Sequence, residues 1–219
     1  MRVGFLLALE SGLRTLTGVM RTQPFLLAFT LALFASFSFA EEPEPLRFAK
    51  ILGDNVVLQQ GKPLKASLAE VGYGADFLLW FAEEAKRVYG QLVPSARENQ
   101  RFMVRRDPVG VVGAITPWNY PISMITRKLG PALAAGCTVV LKPAESTPLC
   151  ARAMFEIFEA AGFPKGVVNL LTVSDPTATG QAFCSDARVR KLTFTGSTAV
   201  GRKLNGEAAL HLKRVSMEL

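Results

Sequence analysis

The chain has 219 residues, 49% of them hydrophobic and 20% charged, with a net charge of +7, enough apolar material for one sizeable domain or one domain plus an appendage and too much for a disordered chain. Its basic residues fall in small scattered groups, Arg101, Arg105 and Arg106, then Arg188, Arg190 and Lys191, then Lys213 and Arg214, without the aromatic interleaving that single-stranded nucleic acid requires, so nucleic acid is not an expected partner. Three dispersed cysteines, Cys137, Cys150 and Cys184, and the lone His211 form neither a disulfide framework nor a zinc cluster, and they suit a reduced compartment.

Residues 1–40 read as an apolar leader. The uncharged run from Phe25 to Ala40 is shorter than the roughly 17 to 25 residues of a membrane span and fits the core of a secretory signal, with Ser38 and Ala40 before a cleavage point. An anchor, an organellar presequence using Arg2, Arg14 and Arg21, and an unrelated leader are alternatives. A linker or partial helix is expected over residues 41–60. Beyond Gly61, Leu68, Val71, Ala75, Leu78, Leu79, Ala82 and Val88 recur at helical spacing, with Trp80 and Phe81 expected in the core and Gly90 as the stop. Residues 91–100 read as a loop.

From Val109 the pattern changes to buried strands separated by helices. "VGVVGAI" is the first strand, and a helix follows with Ile122, Ile125, Leu129 and Leu133 on one face and Gly136 as its stop. "CTVVLKP" is the second strand; Thr147 as N-cap and Pro148 at the first helical position open the next helix, which Gly162 closes. "GVVNLLT", a short helix around Gly180 to Cys184, "VRKLTFT", the helix "STAVGRKLNGEAAL" and the strand "RVSMEL" complete the series. Nearly continuous apolar strands alternating with helices predict an α/β fold, a Rossmann-like parallel sheet with helices on both faces. In such sheets ligands bind outside the carboxyl ends of the strands, which singles out "TPWNYP", "KPAES", "TGSTAVG" and the tip at Glu218.

Several of these loops admit two readings from their residues alone. Asn119 reads as a loop asparagine that bonds its own turn. Lys142 and Glu145 can reach a ligand or stay solvated. The backbone N–H groups of "GSTAVG" make an anion site or an ordinary helix cap, with Ser197 supplying a hydroxyl and Gly196 permitting close approach. Arg127 can clamp a carboxylate or sit on a solvated helix face. For Trp118 and Phe194 at strand ends, core packing is the default.

"GAITPWNYP", "MITRKLGPALAAGCTVVLKPAESTP", "KLTFTGSTAVG" and "KRVSMEL", in this order and at this spacing, resemble the aldehyde dehydrogenase superfamily, and within it the branch that acts on succinate semialdehyde. The resemblance runs from about Gly61 to Leu219, so residues 61–219 are expected to be an NAD-binding domain of that type, incomplete relative to the full family fold. It implies an oxidoreductase in which a cysteine thiolate attacks the aldehyde, hydride passes to a nicotinamide, and a glutamate-activated water hydrolyses the thioester. Carried over by position, Glu218 is the general base and Asn119 the oxyanion donor. The cofactor-binding set is Ile115, Thr116, Pro117, Trp118, Lys142, Glu145, Gly180, Phe194, Gly196, Ser197 and Val200. Arg127 binds the free carboxylate of a short ω-oxo acid, and no metal is involved.

NAD is the expected cofactor, with NADP possible, because Glu145 repels a 2′-phosphate. The family's nucleophile would lie beyond Leu219, and Cys137, Cys150 and Cys184 read as structural, so the chain is expected to be inactive alone. Two alternatives follow: part of a semialdehyde dehydrogenase, or a truncated nucleotide-binding or interaction remnant, membrane-targeted if the leader is an anchor. The resemblance also implies homo-oligomers for a full-length member and a cytoplasmic or mitochondrial matrix location.

Overall fold

The computed structural model describes residues 44–219; the leader expected over residues 1–40 lies outside the described residues. Two helices come first, α1 (Glu44–Gln60) and α2 (Leu64–Glu84), and a single 3-10 turn at Ala85–Arg87 ends the second before Gly90 is reached. Residues 91–104 are not simply a loop. Gln91–Pro94 (β1) and Arg101–Val104 (β2) pair antiparallel as a separate two-stranded ribbon. Because every residue of both strands is exposed, the ribbon has no buried face to impose an apolar alternation that the sequence could display.

The main sheet has five parallel strands, β3 (Val111–Ile115), β4 (Thr138–Lys142), β5 (Val168–Leu170), β6 (Val189–Thr195) and β7 (Arg214–Glu218), in the order β5-β4-β3-β6-β7. The crossovers are α3 (Ser123–Ala134), α4 (Pro148–Ala160), α5 (Pro176–Ser185) and α6 (Thr198–Leu210). The chain builds outward from β3 in one direction, then returns to its other side with β6. This reversal puts the switch point of a doubly wound sheet between β3 and β6.

Strand alternation divides the core in two. Val112 and Ala114 of β3 and Val139 and Leu141 of β4 join α1, α3 and α4 in one cluster, with Leu52, Val56, Ile125, Leu129 and Phe158. Ile115 of β3 and Leu192 and Phe194 of β6 face the other way, against Phe183 of α5 and Leu204 and Ala208 of α6. Gly113 lies on this second face because a Cβ there would stand 2.9 Å from the Phe183 ring.

The buried side of α2 differs from its apolar pattern. Ser67, Glu70 and Gly74 are buried, while Leu68, Ala75, Leu79, Trp80 and Val88 are exposed. One reason is close approach: a Cβ at Gly74 would lie 3.0 Å from Cγ2 of Ile122, so at this point α2 and the start of α3 meet without room for a side chain. Trp80, expected in the core, is 64% exposed, whereas Phe81 is partly buried against Gly130. Thr147 precedes α4 as expected, yet its side chain makes no capping bond, and its buried hydroxyl lacks a partner among the described residues. Asp175, which the sequence reading passed over, caps α5 by accepting from the Thr177 N–H at 2.9 Å.

Candidate active site

The carboxyl ends of four neighbouring strands, β4, β3, β6 and β7, carry the residues singled out above. β3 delivers Ile115 and Thr116, both buried, and then the loop Pro117–Pro121, on which Trp118 and Asn119 are exposed. The strand end is tied to its neighbour where the Thr116 N–H donates to the Lys142 carbonyl at 3.2 Å. Lys142 closes β4 with only 6% of its side chain exposed and pairs with Glu145, whose carboxylate is 39% exposed. The solvated alternative for Lys142 is therefore ruled out; its ammonium is held at the strand end by a carboxylate.

β6 ends at Thr195, and the turn through Gly196 opens α6. Ser197 is the N-cap of that helix, its Oγ accepting from the Val200 N–H at 3.4 Å, and Val200 is exposed in the first turn. A Cβ on Gly196 would come 2.6 Å from the Phe194 ring, so the backbone here passes closer than any other residue would permit. Phe194 is buried. Gly180 sits deeper, inside α5, where a Cβ would be 3.1 Å from Leu204 of α6, and its immediate neighbour is a helix contact.

Glu218 ends β7 opposite Thr195. Three groups address its carboxylate or the strand beside it. The Thr195 hydroxyl donates to Oε2 at 3.0 Å, the Arg127 guanidinium stands 3.0 Å from Oε1, and the Gly196 N–H donates to the Glu218 carbonyl at 3.2 Å. Arg127 and Glu218 are both nearly half exposed, so this pair is open to solvent and to competing anions.

Lys128, next to Arg127 on α3, was not selected from the sequence. Its buried ammonium donates to the Thr195 hydroxyl at 2.7 Å and to that of Thr193 at 3.3 Å, making a hydrogen-bonded path from Lys128 through Thr195 to Glu218. Burial pushes its pKa down to about 8, opposed by the Glu218 charge and reinforced by Arg127. A lysine inside a helix whose i−3 neighbour is Ile125 carries no sequence mark of this. Only the alternation of β6, which points Thr193 and Thr195 to the same side, makes it a member of the site.

The three cysteines are buried elsewhere. Cys150 lies in the first turn of α4, where burial, aided by the charge of Glu70, pushes its thiol up to about 12. Cys184 is raised by burial and by Glu207, and its Sγ lies 3.5 Å from the Leu204 carbonyl. Cys137 is buried where α3 gives way to β4. Thiols in such surroundings are poor nucleophiles.

The residues fit a dinucleotide on structural grounds. A helix N-terminus with a hydroxyl cap, a close backbone approach at Gly196, and a cation held at a nearby strand end are groups of the kind that a pyrophosphate and sugar hydroxyls can bond. The sequence pattern of the aldehyde dehydrogenase family matches residues 47–219. The chain belongs to the aldehyde dehydrogenase family.

Over 168 residues it is 55% identical to the mitochondrial succinate-semialdehyde dehydrogenase of Arabidopsis thaliana, a match covering 77% of this chain and 32% of that protein. Over 164 residues it is 52% identical to an Escherichia coli protein named as the NADP(+) form of succinate-semialdehyde dehydrogenase, covering 75% and 34% respectively. Among solved structures, the succinate-semialdehyde dehydrogenase of Burkholderia pseudomallei superposes with a TM-score of 0.79 at 45% identity, covering 89% of this chain and 38% of that one. The chain thus spans about a third of the length of the curated relatives it matches. As a member of this family it has the α/β fold and the parallel sheet seen here, with helices on both faces.

Proposed function

We propose that residues 61–219 form the cofactor-binding part, with the general base, of an NAD-dependent dehydrogenase for succinate semialdehyde or a similar short ω-oxo acid. The observation that carries the reading is the order of side chains along four adjacent strand ends: Lys142, then the Asn119 loop, then the Ser197 helix start, then Glu218. The names of the relatives support the reaction and the substrate class. NAD, when bound, supplies the hydride acceptor. The α6 N-terminus and Ser197 would hold its pyrophosphate, Lys142 and Glu145 its ribose hydroxyls, and Val200 a face of the adenine. Ile115, Thr116, Pro117, Trp118, Gly180 and Phe194 complete the cofactor set by resemblance.

Asn119 donates to the oxyanion that forms when the aldehyde carbon becomes tetrahedral, a contact of a kind typically worth about 10² to 10³ in rate. Glu218 takes the proton of the deacylating water. Arg127 receives the distal carboxylate of the substrate. Because its guanidinium already pairs with Glu218, an arriving carboxylate competes with Glu218 for it and leaves the base free to accept a proton. None of Cys137, Cys150 and Cys184 supplies the thiolate.

Calorimetric titration tests the cofactor assignment. NAD+ should bind the chain more tightly than NADP+, because the Glu145 carboxylate repels a 2′-phosphate, and Lys142→Ala should weaken NAD+ binding about ten-fold or more, the worth of a hydrogen bond to a charged group. Unchanged affinity in Lys142→Ala would overturn the ribose assignment, and equal or tighter NADP+ binding would overturn the preference.

A further inference from the structure

The buried carboxylate of Glu70 belongs to none of the groups described so far. Its side chain is 1% exposed in the second turn of α2, and Oε2 pairs with the Lys62 ammonium at 2.6 Å. Oε1 accepts from the Ile122 N–H at 2.9 Å and lies 3.5 Å from the Ser123 nitrogen, at the start of α3. Helix α3 has no side-chain cap of its own, because the N-cap position is Ile122. A helix start presents unpaired N–H groups and a positive dipole end, and here another helix supplies the negative cap.

The other half of the arrangement points at the loop itself. Lys62 donates to the Asn119 carbonyl at 3.1 Å and stands 4.2 Å from the centre of the Tyr120 ring. Gln60, at the end of α1, donates to the Trp118 carbonyl. Three side chains from the segment Gln60–Glu70 therefore hold the backbone on both sides of the Asn119 side chain, at the Trp118 carbonyl before it and at the Asn119 carbonyl and the Ile122 N–H after it. Burying a carboxylate is costly unless it is paired and hydrogen-bonded, and Glu70 meets the first condition through Lys62 and the second through the Ile122 N–H at the start of α3.

We propose that Lys62 and Glu70 are positioning residues that act through Asn119, fixing the Trp118–Ser123 segment so that the Asn119 side chain has one orientation. That this orientation serves an oxyanion rests on the functional reading above; the clamp itself does not.

The test uses the isotopically labelled chain and nuclear magnetic resonance, with Lys62→Met, Glu70→Gln and Lys62→Arg. In Lys62→Met, amide exchange at Ile122 and Ser123, whose N–H groups face Glu70, should quicken at least ten-fold, and the side-chain amide of Asn119 should lose its single pair of signals. The amides of Val139 to Leu141 and of Leu192 to Phe194 should keep their rates, and Lys62→Arg should restore the loop. Should either single change fail to fold, Lys62→Met combined with Glu70→Gln, which leaves no buried charge unpaired, decides in its place.

A folded Lys62→Met with unchanged loop exchange and unchanged Asn119 signals overturns the proposal. So does faster exchange spread evenly across the sheet, which would make the pair a general support of the fold. Titrating NAD+ into the same samples separates the two readings: an unaltered chain that binds no NAD+ while Lys62→Met frees the loop sinks the cofactor assignment and leaves the clamp standing.

Discussion

Lys128 shows how much of a residue's chemistry depends on what faces it. An ammonium buried in α3 is destabilised in its charged form, and its pKa falls from 10.5 to about 8. Between those values the unfolded chain binds more protons than the folded one, so Lys128 weakens the fold at neutral pH and this cost is relieved as pH rises from 8 to 10.5. A displacement of that size corresponds to about 3 kcal/mol. Lys128→Met should therefore gain most over the unaltered chain below pH 8, and that advantage should shrink by about 2 to 3 kcal/mol by pH 10 in urea unfolding. An advantage that is the same at pH 7.5 and pH 10 would show that Lys128 is not held at low pKa. The residue escaped sequence reading because its partners, Thr193 and Thr195, come from a strand more than sixty positions away. The position of Asn119, Lys142 and Glu218 beside strand ends was legible in the strand pattern, while the roles proposed for them came from the family resemblance. The burial of Lys142 and its pairing with Glu145 were not legible, since they depend on the folded strand end.

Among the elements, β3 is the one on which the site depends most. It is the central strand, it pairs with β4 and β6 along its whole length, and its end carries the Asn119 loop. Gly113 at its midpoint lets α5 approach, with the Phe183 ring 2.9 Å from where a Cβ would be. Gly113→Ala should destabilise the chain by about 1 to 2 kcal/mol, the overpacking cost less the gain from removing a strand glycine. Urea midpoints would show it, and combining the change with Phe183→Leu should recover part of the loss. If Gly113→Ala alone matched the unaltered chain, the contact of α5 with β3 would be loose. The strands and their order of appearance followed from composition because buried parallel strands read as apolar runs. The ribbon of β1 and β2, exposed throughout, left no such trace, and the face of α2 was misread because it turns on the close approach at Gly74 and on the ion pair that buries Glu70, neither of which apolar periodicity shows.

For the molecule as a whole, the proposed base and the thiols have to be considered together. Glu218 is placed at the sheet edge with its donors, yet the three thiols of the chain lie in the core, one of them with a pKa near 12. The purified chain, given NAD+ and succinate semialdehyde, should therefore form no NADH at any pH. Steady turnover that persists after Cys137→Ser, Cys150→Ser and Cys184→Ser are combined would remove the need for a thiolate and with it the proposed mechanism. Absorbance at the NADH band is a sufficient measurement.

The sequence by itself determined the alternation of strands and helices, the parallel sheet, and the motifs at four strand ends, because each is written in neighbouring residues with a short period. The tertiary structure alone decided which side chains address one another: Lys128 with Thr195 and Glu218, Arg127 with Glu218, and Lys62 and Glu70 with the Asn119 loop. These pairings join residues separated by tens of positions, and they exist only once the sheet order β5-β4-β3-β6-β7 and the close packing of α2 on α3 have brought them within hydrogen-bond reach.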